Sequence, residues 1–320
     1  MRLDRSITLN LVQPLRRTLN VLRPLNSYPP TLHYRALPIL MYHSISDDPE
    51  TGVSPYYRTA TSPAVFRQHM TLLKSEGYQG VDLSTGLAWL KSSALRTETL
   101  NPQSSTDNSH PPNRPVVLTF DDGFHDFYTS GFPILQKFGF TATMFLPTAF
   151  ISNSGVRRSF RGKECLTWDE IRELRVAGME FGSHTISHPK LVDLEWAEIE
   201  SELSNSKSEI ERQLDAPVTS FAYPYAFPQA HRAFGDAFRD RLRQSGYQTC
   251  VTTTIGRAHT HDDPYRLCRL PANSNDDDRL LRGKIEGAYD WLAGPQAVIK
   301  KLMASFRQNG VGRARPPQLL

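Results

Sequence analysis

Leu118-Thr119-Phe120-Asp121-Asp122-Gly123 carries an apolar segment directly into two adjacent carboxylates and a glycine. The apolar segment begins at Val116, so the pattern predicts a buried strand that ends in polar residues. Further along, Ser183-His184-Thr185-Ile186-Ser187-His188 places two histidines four residues apart, again after a predicted strand. Both motifs should therefore lie at the carboxyl ends of strands, where α/β proteins build their sites.

The residue types in these two motifs are those of a metal site. One carboxylate and two imidazoles can hold a divalent ion and leave coordination positions open for water and substrate. The second carboxylate is then spare to act as a base. Each motif alone has a plainer explanation, since Asp-Asp-Gly is typical of a turn or a helix cap. Their joint occurrence favours a metal-assisted hydrolase.

Strands and helices alternate along most of the chain, which predicts an α/β barrel or sheet with helices outside. Ser62-Pro63 and Thr167 are helix-start signals. The predicted strands are 36–43, 81–83, 116–118, 141–147, 181–184, 220–225, 248–253 and 266–270. The predicted helices are 62–76, a segment beginning at 87–91, 131–138, 168–177, 196–214, 230–244 and 278–309.

Composition narrows the functional classes. With 320 residues and a net charge of only +4, the chain can bury a full core and shows no case for a nucleic-acid partner. Its three cysteines, Cys165, Cys250 and Cys268, are too sparse for a disulfide framework and fit a reducing compartment or simple burial. No stretch approaches the length of a membrane span.

Three parts of the chain are predicted to lie outside the folded catalytic domain at 36–293. Residues 1–35 form a basic leader that we expect to be poorly ordered, because Pro14 and Pro24 interrupt any helix. Its interleaved leucines and arginines leave peripheral membrane contact as an alternative. Because it lacks the apolar core of a signal peptide, a cytoplasmic location is predicted, with the membrane periphery as the alternative. Residues 97–114 are predicted to be a flexible insertion, and 294–320 a C-terminal helix and basic tail.

Four motifs in this order resemble the polysaccharide deacetylase family, the metal-dependent carbohydrate esterases that remove acetyl groups from N-acetylated sugars. They are Pro38–Ser44, Thr119–Gly123, Ser183–Pro189 and Phe221–Tyr225. The resemblance continues loosely to about Trp291, and the first two metal motifs are specific. It implies a distorted, incomplete (β/α) barrel with a divalent metal at its mouth. The metal is often zinc, and nickel, cobalt or iron would also suit these ligands.

The resemblance also implies roles for individual residues. Asp122, His184 and His188 correspond to the metal ligands, and Asp121 corresponds to the general base. The backbone N–H of Tyr225 corresponds to the donor that stabilises the oxyanion. The physical chemistry agrees, since such a reaction needs an activated water, a base and an oxyanion donor.

The chain departs from the family's common pattern at an arginine. Many members carry an arginine two residues before the motif proline, where it orients the base, whereas this chain has Ala222. The variant Phe-Ala-Tyr-Pro-Tyr resembles the exopolysaccharide-type branch. Arg269, near the end of the last predicted strand, is a candidate substitute. A surface ion pair is the alternative role for Arg269.

A second departure concerns the general acid. Many members place a histidine after a late strand, and none follows in the corresponding motif here. Because the first strand of a barrel lies beside the last, we expect His43 to reach the site and act as the general acid. The competing histidines are His125, His231, His259 and His261.

The sequence therefore predicts a hydrolase that deacetylates an N-acetylated glycan, an exopolysaccharide or its precursor. Two alternatives stay open. One is hydrolysis of a small non-peptide amide, and the other is a glycan-binding protein that has lost turnover. Retention of both Asp121 and Asp122 argues against a binding protein, which would not need the base.

Overall fold

The computed structural model describes residues 3–14, 35–55, 57–95, 114–153 and 155–292. Within them, seven parallel strands close into a ring. Their order around the ring is Ile39–Tyr42, Leu267–Pro271, Thr249–Ile255, Ser220–Ala222, Glu180–Ser183, Thr143–Leu146 and Pro115–Phe120, and the last pairs back to the first. This confirms the predicted incomplete (β/α) barrel. The strands are β1 (Ala36–Leu37), β2 (Ile39–Tyr42), β3 (Gln79–Val81), β4 (Pro115–Phe120), β5 (Thr143–Leu146), β6 (Ser159–Phe160), β7 (Lys163–Glu164), β8 (Glu180–Ser183), β9 (Ser220–Ala222), β10 (Thr249–Ile255), β11 (Ala258–His259) and β12 (Leu267–Pro271).

The remaining strands decorate the ring. β3 pairs in parallel with the first half of β4, β6 pairs with β7 in an antiparallel hairpin, and β1 pairs with β11. The last strand of the barrel lies beside the first, with Leu270 opposite Leu40. This neighbourhood is the one on which the assignment of His43 depends.

The two helix starts signalled by Ser62-Pro63 and by Thr167 are confirmed. The Ser62 hydroxyl accepts a hydrogen bond from the Val65 N–H at 3.2 Å, and Thr167 forms a capping box with Glu170. The helices are α1 (Leu3–Ile7, continued by a π-helical turn at Thr8–Val12), α2 (Pro63–Ser75), α3 (Leu83–Leu95), α4 (Phe132–Phe138, preceded by a π-helical turn at Phe127–Gly131), α5 (Trp168–Val176), α6 (Trp196–Leu214), α7 (Arg232–Gln244) and α8 (Asp278–Ile285). Short 3-10 turns occupy Thr148–Phe150, Leu191–Asp193 and Asp290–Leu292.

Several predicted boundaries are wrong, among them the helix predicted to begin at 87–91, which begins at Leu83. The strand placed at 81–83 lies at 79–81, because the Asp82 carboxylate accepts from the Thr85 N–H at 2.8 Å and helix α3 begins at Leu83. The strand placed at 220–225 ends at Ala222, after which the chain turns to a left-handed Tyr225 with φ 57°. Helix α8 ends at Ile285. The rest of the segment predicted helical to 309, from residue 293 on, lies outside the described residues, as does most of the 97–114 insertion.

Alternation along the strands separates the inside of the ring from the layer under the helices. A small apolar cluster combines Ile39, Val117, Phe145, Ala222 and Leu267, one residue from each of five strands. Residues two positions further along these strands face the same side, toward the mouth of the barrel. That periodicity places Thr119 and Asp121, at the end of β4, and Arg269, on β12, on the inner side of the ring above this apolar cluster. A larger apolar cluster packs between the strands and the helices.

The described part of the basic leader lies against the domain. Thr8 and Leu9 are buried, the Trp291 indole N–H donates to the Thr8 hydroxyl at 2.9 Å, and Arg279 donates to the Leu9 carbonyl at 3.2 Å. Residues 15–34 lie outside the described residues. Among the described helices, none combines the length and the apolar character that crossing a membrane requires.

Candidate metal centre and catalytic site

Asp122, His184 and His188 meet at the mouth of the barrel. Asp122 follows β4, and the two histidines follow β8. The Asp122 Oδ1 atom lies 3.6 Å from His184 Nε2 and 3.4 Å from His188 Nε2, and one ligand atom from each residue lies within 4.8 Å of the others. All three side chains are buried. The structure thus brings together the three residues predicted to bind the metal.

Hydrogen bonds hold the histidines in this orientation. His184 Nδ1 lies 2.7 Å from the Ala222 carbonyl oxygen, so a proton on Nδ1 leaves Nε2 free to bind a metal. The Glu202 carboxylate accepts from the Ile186 N–H at 2.7 Å and the Ser187 N–H at 3.0 Å. The segment between the two histidines is therefore fixed to helix α6.

The donor set fits a divalent cation. Among the described residues, no hydrogen-bond donor reaches the buried Asp122 Oδ1 atom, which is an unusual state for a buried carboxylate oxygen. Burial, followed by the negative charge of Asp121, raises the pKa of Asp122 to about 7, and burial lowers the pKa of His184 and of His188. A cation between the three would balance the carboxylate and use the two neutral imidazoles as ligands.

The backbone supports a functional reading of the same residues. Asp122 and His188 have φ of 73° and 55°, in the left-handed region that few non-glycine residues adopt. Such strain persists where the surrounding structure enforces it, and it is concentrated at functional sites. Gly123 follows with φ 62°, and a Cβ there would meet Ile151 at 3.1 Å and Leu146 at 3.2 Å. The turn after β4 is thus packed tightly against the next layer.

Arg269 holds Asp121 in a buried, two-point ion pair. Arg269 Nη1 donates to Asp121 Oδ1 and Nη2 donates to Oδ2, each at 2.7 Å, and both side chains are almost completely buried. The Arg269 Nε–H donates to the Thr252 carbonyl at 3.1 Å. Burial alone would raise the pKa of Asp121, but the Arg269 charge holds it well below its usual range. The surface ion pair considered for Arg269 is therefore wrong.

His43 lies at the same end of the barrel. Its Nε2 atom is 4.0 Å from Asp121 Oδ2, and its side chain is 19% exposed. Burial lowers the pKa of His43 to about 4, although the charge of Asp121 works in the opposite direction. At neutral pH the ring is therefore uncharged.

Tyr225 closes the other side of the triad. Its ring centroid lies 4.7 Å from that of His188, and its carbonyl accepts from the Thr253 hydroxyl at 3.0 Å. No acceptor for the Tyr225 N–H occurs among the described residues. The Tyr225 N–H is therefore available to donate a hydrogen bond to a bound group.

The competing histidines make contacts elsewhere. His125 Nδ1 lies 3.3 Å from Glu170, His259 Nδ1 lies 3.6 Å from Asp262, and His231 precedes helix α7 and is exposed. Arg161, which is absent from the predicted site residues, places its guanidinium carbon 5.1 Å from the Tyr225 ring centroid. Its signal was Arg161-Gly162 between two short extended segments, a pattern typical of a hairpin turn.

Comparison with known proteins relates this site to one family. Residues 108–250 match the family model described as polysaccharide deacetylase. Asp121, Asp122, His184 and His188 all lie within the matched residues. YxkH of Bacillus subtilis (strain 168), a protein named for the same family, is 28% identical over 79% of this chain and 75% of its own length.

Two further relatives extend this comparison. The solved structure of the Streptococcus pyogenes deacetylase PplD in complex with acetate has a TM-score of 0.62 and 25% identity, covering 79% of this chain and 99% of that one. The poly-β-1,6-N-acetyl-D-glucosamine N-deacetylase of Escherichia coli (strain K12) is 28% identical over 46% of this chain. That match spans only 20% of the length of the E. coli protein.

This chain therefore combines motifs that match the polysaccharide deacetylase family with a displaced arginine. Ala222, at the position where many members carry that arginine, is buried in the floor of the ring and offers only its carbonyl, to His184. Arg269 reaches Asp121 from β12, two strands along the ring from β9. A guanidinium is present beside Asp121, but it comes from another strand.

Proposed function

We propose that this chain is a metal-dependent hydrolase that removes acetyl groups from the N-acetylated sugars of a glycan, an exopolysaccharide or its precursor. The observation that carries the proposal is the contrast between the two adjacent carboxylates. Asp121 is kept ionised by Arg269, whereas Asp122 faces two imidazoles and has an oxygen without a hydrogen-bond donor. One carboxylate is thus arranged as a base and the other as a ligand.

Asp122, His184 and His188 would hold the metal, and zinc suits this donor set. When bound, the ion polarises the acetyl carbonyl and makes a coordinated water more acidic. Asp121 accepts the proton of the attacking water, and its low pKa ensures that it is ionised beforehand. The Tyr225 N–H donates to the oxygen that becomes negative in the tetrahedral intermediate.

The departing amine needs a proton, and His43 is placed to deliver it. Because His43 is uncharged at neutral pH, it must first receive the proton that it donates. Asp121, 4.0 Å away, has just taken one from the water. The proton therefore passes from water to Asp121, from Asp121 to His43 Nε2, and from there to the amine nitrogen.

The relatives support a glycan substrate. The E. coli relative is named for deacetylation of poly-β-1,6-N-acetyl-D-glucosamine, and a Staphylococcus epidermidis protein with the same name is 23% identical over 53% of this chain. A membrane-bound role gains no support from residues 3–14, whose Leu9 is buried against the domain.

The test is release of acetate by the purified, metal-reconstituted chain from acetylated glucosamine oligomers, combined with elemental analysis. Acetate release that depends on the metal supports the proposal. Binding of the oligomers without acetate release would identify a glycan-binding protein. Turnover restricted to small acetamides would identify the alternative amide hydrolase.

A further inference from the structure

Arg161 occupies the tip of the β6–β7 hairpin at a position that disfavours arginine. Phe160 pairs with Lys163, so Arg161 and Gly162 form a two-residue loop. Both have positive φ, 51° and 79°, as in a type I′ turn, which prefers asparagine, aspartate and glycine. An arginine held in this strained conformation calls for a functional reason.

The hairpin carries Arg161 to the metal site. The Arg161 guanidinium carbon lies 5.1 Å from the ring centroids of both Phe160 and Tyr225. Those rings in turn lie 5.0 and 4.7 Å from the ring of His188. A single aromatic ring, that of Phe160 or that of Tyr225, therefore lies between Arg161 and the proposed metal ligand His188.

A second cation lies beside the same tyrosine. Lys190 directly follows the histidine motif Ser183–Pro189, is exposed, and places its Nζ atom 5.8 Å from the Tyr225 ring centroid. We call Arg161, Lys190, Phe160 and Tyr225 the cationic rim. It joins two positive charges to two aromatic faces, a combination that can bind an anion beside a sugar ring.

The cations of the rim have ring contacts but no carboxylate partner. Among the described residues, neither Arg161 nor Lys190 makes an ion pair or a hydrogen bond through its side chain. By contrast, Lys163 on the hairpin pairs with Asp48 at 2.6 Å, and Arg157, two residues before the hairpin, pairs with Glu170 at 2.5 Å. These two neighbouring cations are neutralised, whereas the Arg161 guanidinium is left available.

The charges of the site reinforce this availability. With a divalent ion bound, Asp121, Asp122 and Arg269 leave the centre net positive, so the catalytic carboxylates do not neutralise the rim. A cleft with charges of one sign raises the local concentration of oppositely charged ligands. A guanidinium can also bind a carboxylate or a phosphate through two parallel hydrogen bonds.

We propose that the cationic rim binds a carboxylate or phosphate of the glycan next to the acetylated sugar, so that this enzyme prefers anionic glycans to neutral ones. The inference rests on the proposed function for its turnover readout. In it, Arg161 binds the anion, Lys190 adds to the attraction, and the faces of Phe160 and Tyr225 pack against the sugar. Arg161 thereby determines specificity without taking part in the cleavage.

The test uses Arg161→Asn, a variant that suits the type I′ turn better than arginine and so preserves the hairpin. The matched control is Arg158→Asn, which removes an exposed arginine of the same segment whose Nη1 donates to the Ala149 carbonyl. Three tetrasaccharides of equal length serve as probes. They are a neutral N-acetylglucosamine oligomer, one alternating N-acetylglucosamine with glucuronic acid, and an N-acetylglucosamine oligomer bearing a terminal phosphate.

The first readout is kcat/KM for acetate release. We expect the wild-type chain to favour at least one anionic oligomer, and Arg161→Asn to lower the anionic-to-neutral ratio by about tenfold, the scale of one charge-assisted hydrogen bond. Arg158→Asn should leave the ratio unchanged. Which anionic oligomer responds identifies the group as a carboxylate or a phosphate. Equal losses on neutral and anionic oligomers, or no wild-type preference, would overturn the inference.

The second readout is the dissociation constant of the same oligomers for the metal-loaded chain, measured by calorimetry at two salt concentrations. Tighter binding of an anionic oligomer, weakened by salt and by Arg161→Asn, supports the rim even if no acetate is released. In that case the proposed function fails and the inference stands. If acetate is released but binding does not depend on the charge of the oligomer, the proposed function stands and the inference fails.

Discussion

Two buried carboxylates of this molecule have opposite surroundings. Asp276, before helix α8, accepts from Lys284 Nζ at 2.8 Å and from the Asn273 N–H at 3.1 Å. Asp122, at the barrel mouth, has an oxygen that no donor among the described residues reaches. The described residues thus supply the partners of the Asp276 carboxylate, whereas they supply no hydrogen-bond donor to Asp122 Oδ1.

This difference distinguishes a structural polar cluster from a functional one. A buried charge that meets an opposite charge and backbone donors is satisfied within the fold. A buried carboxylate facing two neutral imidazoles is not, and proteins tolerate such local violations at functional sites. Substitutions at the two carboxylates and at their partners test this difference.

The largest effect is expected at the metal ligands. Asp122→Ala and His184→Ala should each lose bound metal and turnover together, because two remaining ligands hold a divalent ion poorly. The loss should exceed the roughly 10–100-fold that changes in outer-shell partners cause. Elemental analysis and acetate release measure the two quantities on the same samples, with Lys284→Met as the control that keeps its metal. Full occupancy in both alanine variants would mean that the triad is not the metal site.

Asp121→Asn should separate the base from the ligand. The fold and the metal should remain, while turnover should fall by a hundredfold or more, the scale of a lost general base. Metal content and kcat of the same preparation provide the measurement. If this substitution instead empties the metal site, Asp121 is a ligand, and the contrast with Asp122 is wrong.

His43→Ala should affect amides and esters differently. Turnover of an N-acetylated sugar should fall by roughly a hundredfold, because the amine leaves only when it is protonated. An activated acetate ester, whose leaving group needs no proton, should lose much less. The ratio of the two rate losses is the measurement. Equal losses would assign His43 a positional role, and no loss on either substrate would return attention to His125 and His231.

Lys284→Met should have the smallest effect on catalysis and a clear effect on stability. Removing the ammonium leaves Asp276 buried without its cationic partner, which costs about 3–5 kcal/mol in comparable buried pairs. Denaturant unfolding measures the loss, and kcat per folded molecule should be unchanged. Adding Asp276→Asn should recover part of the stability. A drop in kcat for the folded variant would connect the Asp276 cluster to the site.

Much of the site was readable from the sequence because it depends on local order. An apolar strand running into Asp121-Asp122 and two histidines after another strand specify both the residues and the end of the barrel where they lie. His43 could be placed because the first and last strands of a barrel are neighbours, and β2 does pair with β12.

Other features depend on register and tertiary contact, which the sequence does not show. Arg269 was a candidate, but its burial follows from its being two residues after Leu267 on the inner face of β12. The position of Arg161 over Tyr225 depends on how a short hairpin folds back on the barrel. Asp276, before helix α8, pairs with Lys284 in the last turn of that helix, and no sequence motif predicts this contact.

In this chain the guanidinium comes from Arg269, and position 222, where many family members carry an arginine, is an alanine. This difference changes how active members of the family should be sought. A search that requires an arginine two residues before the motif proline would set this chain aside as inactive. The ion pair that the arginine would form is nevertheless present, supplied by β12. The arrangement to look for is a guanidinium within hydrogen-bond distance of the carboxylate at the position of Asp121. The appropriate search criterion is therefore a distance in the structure and not the residue type at one aligned position.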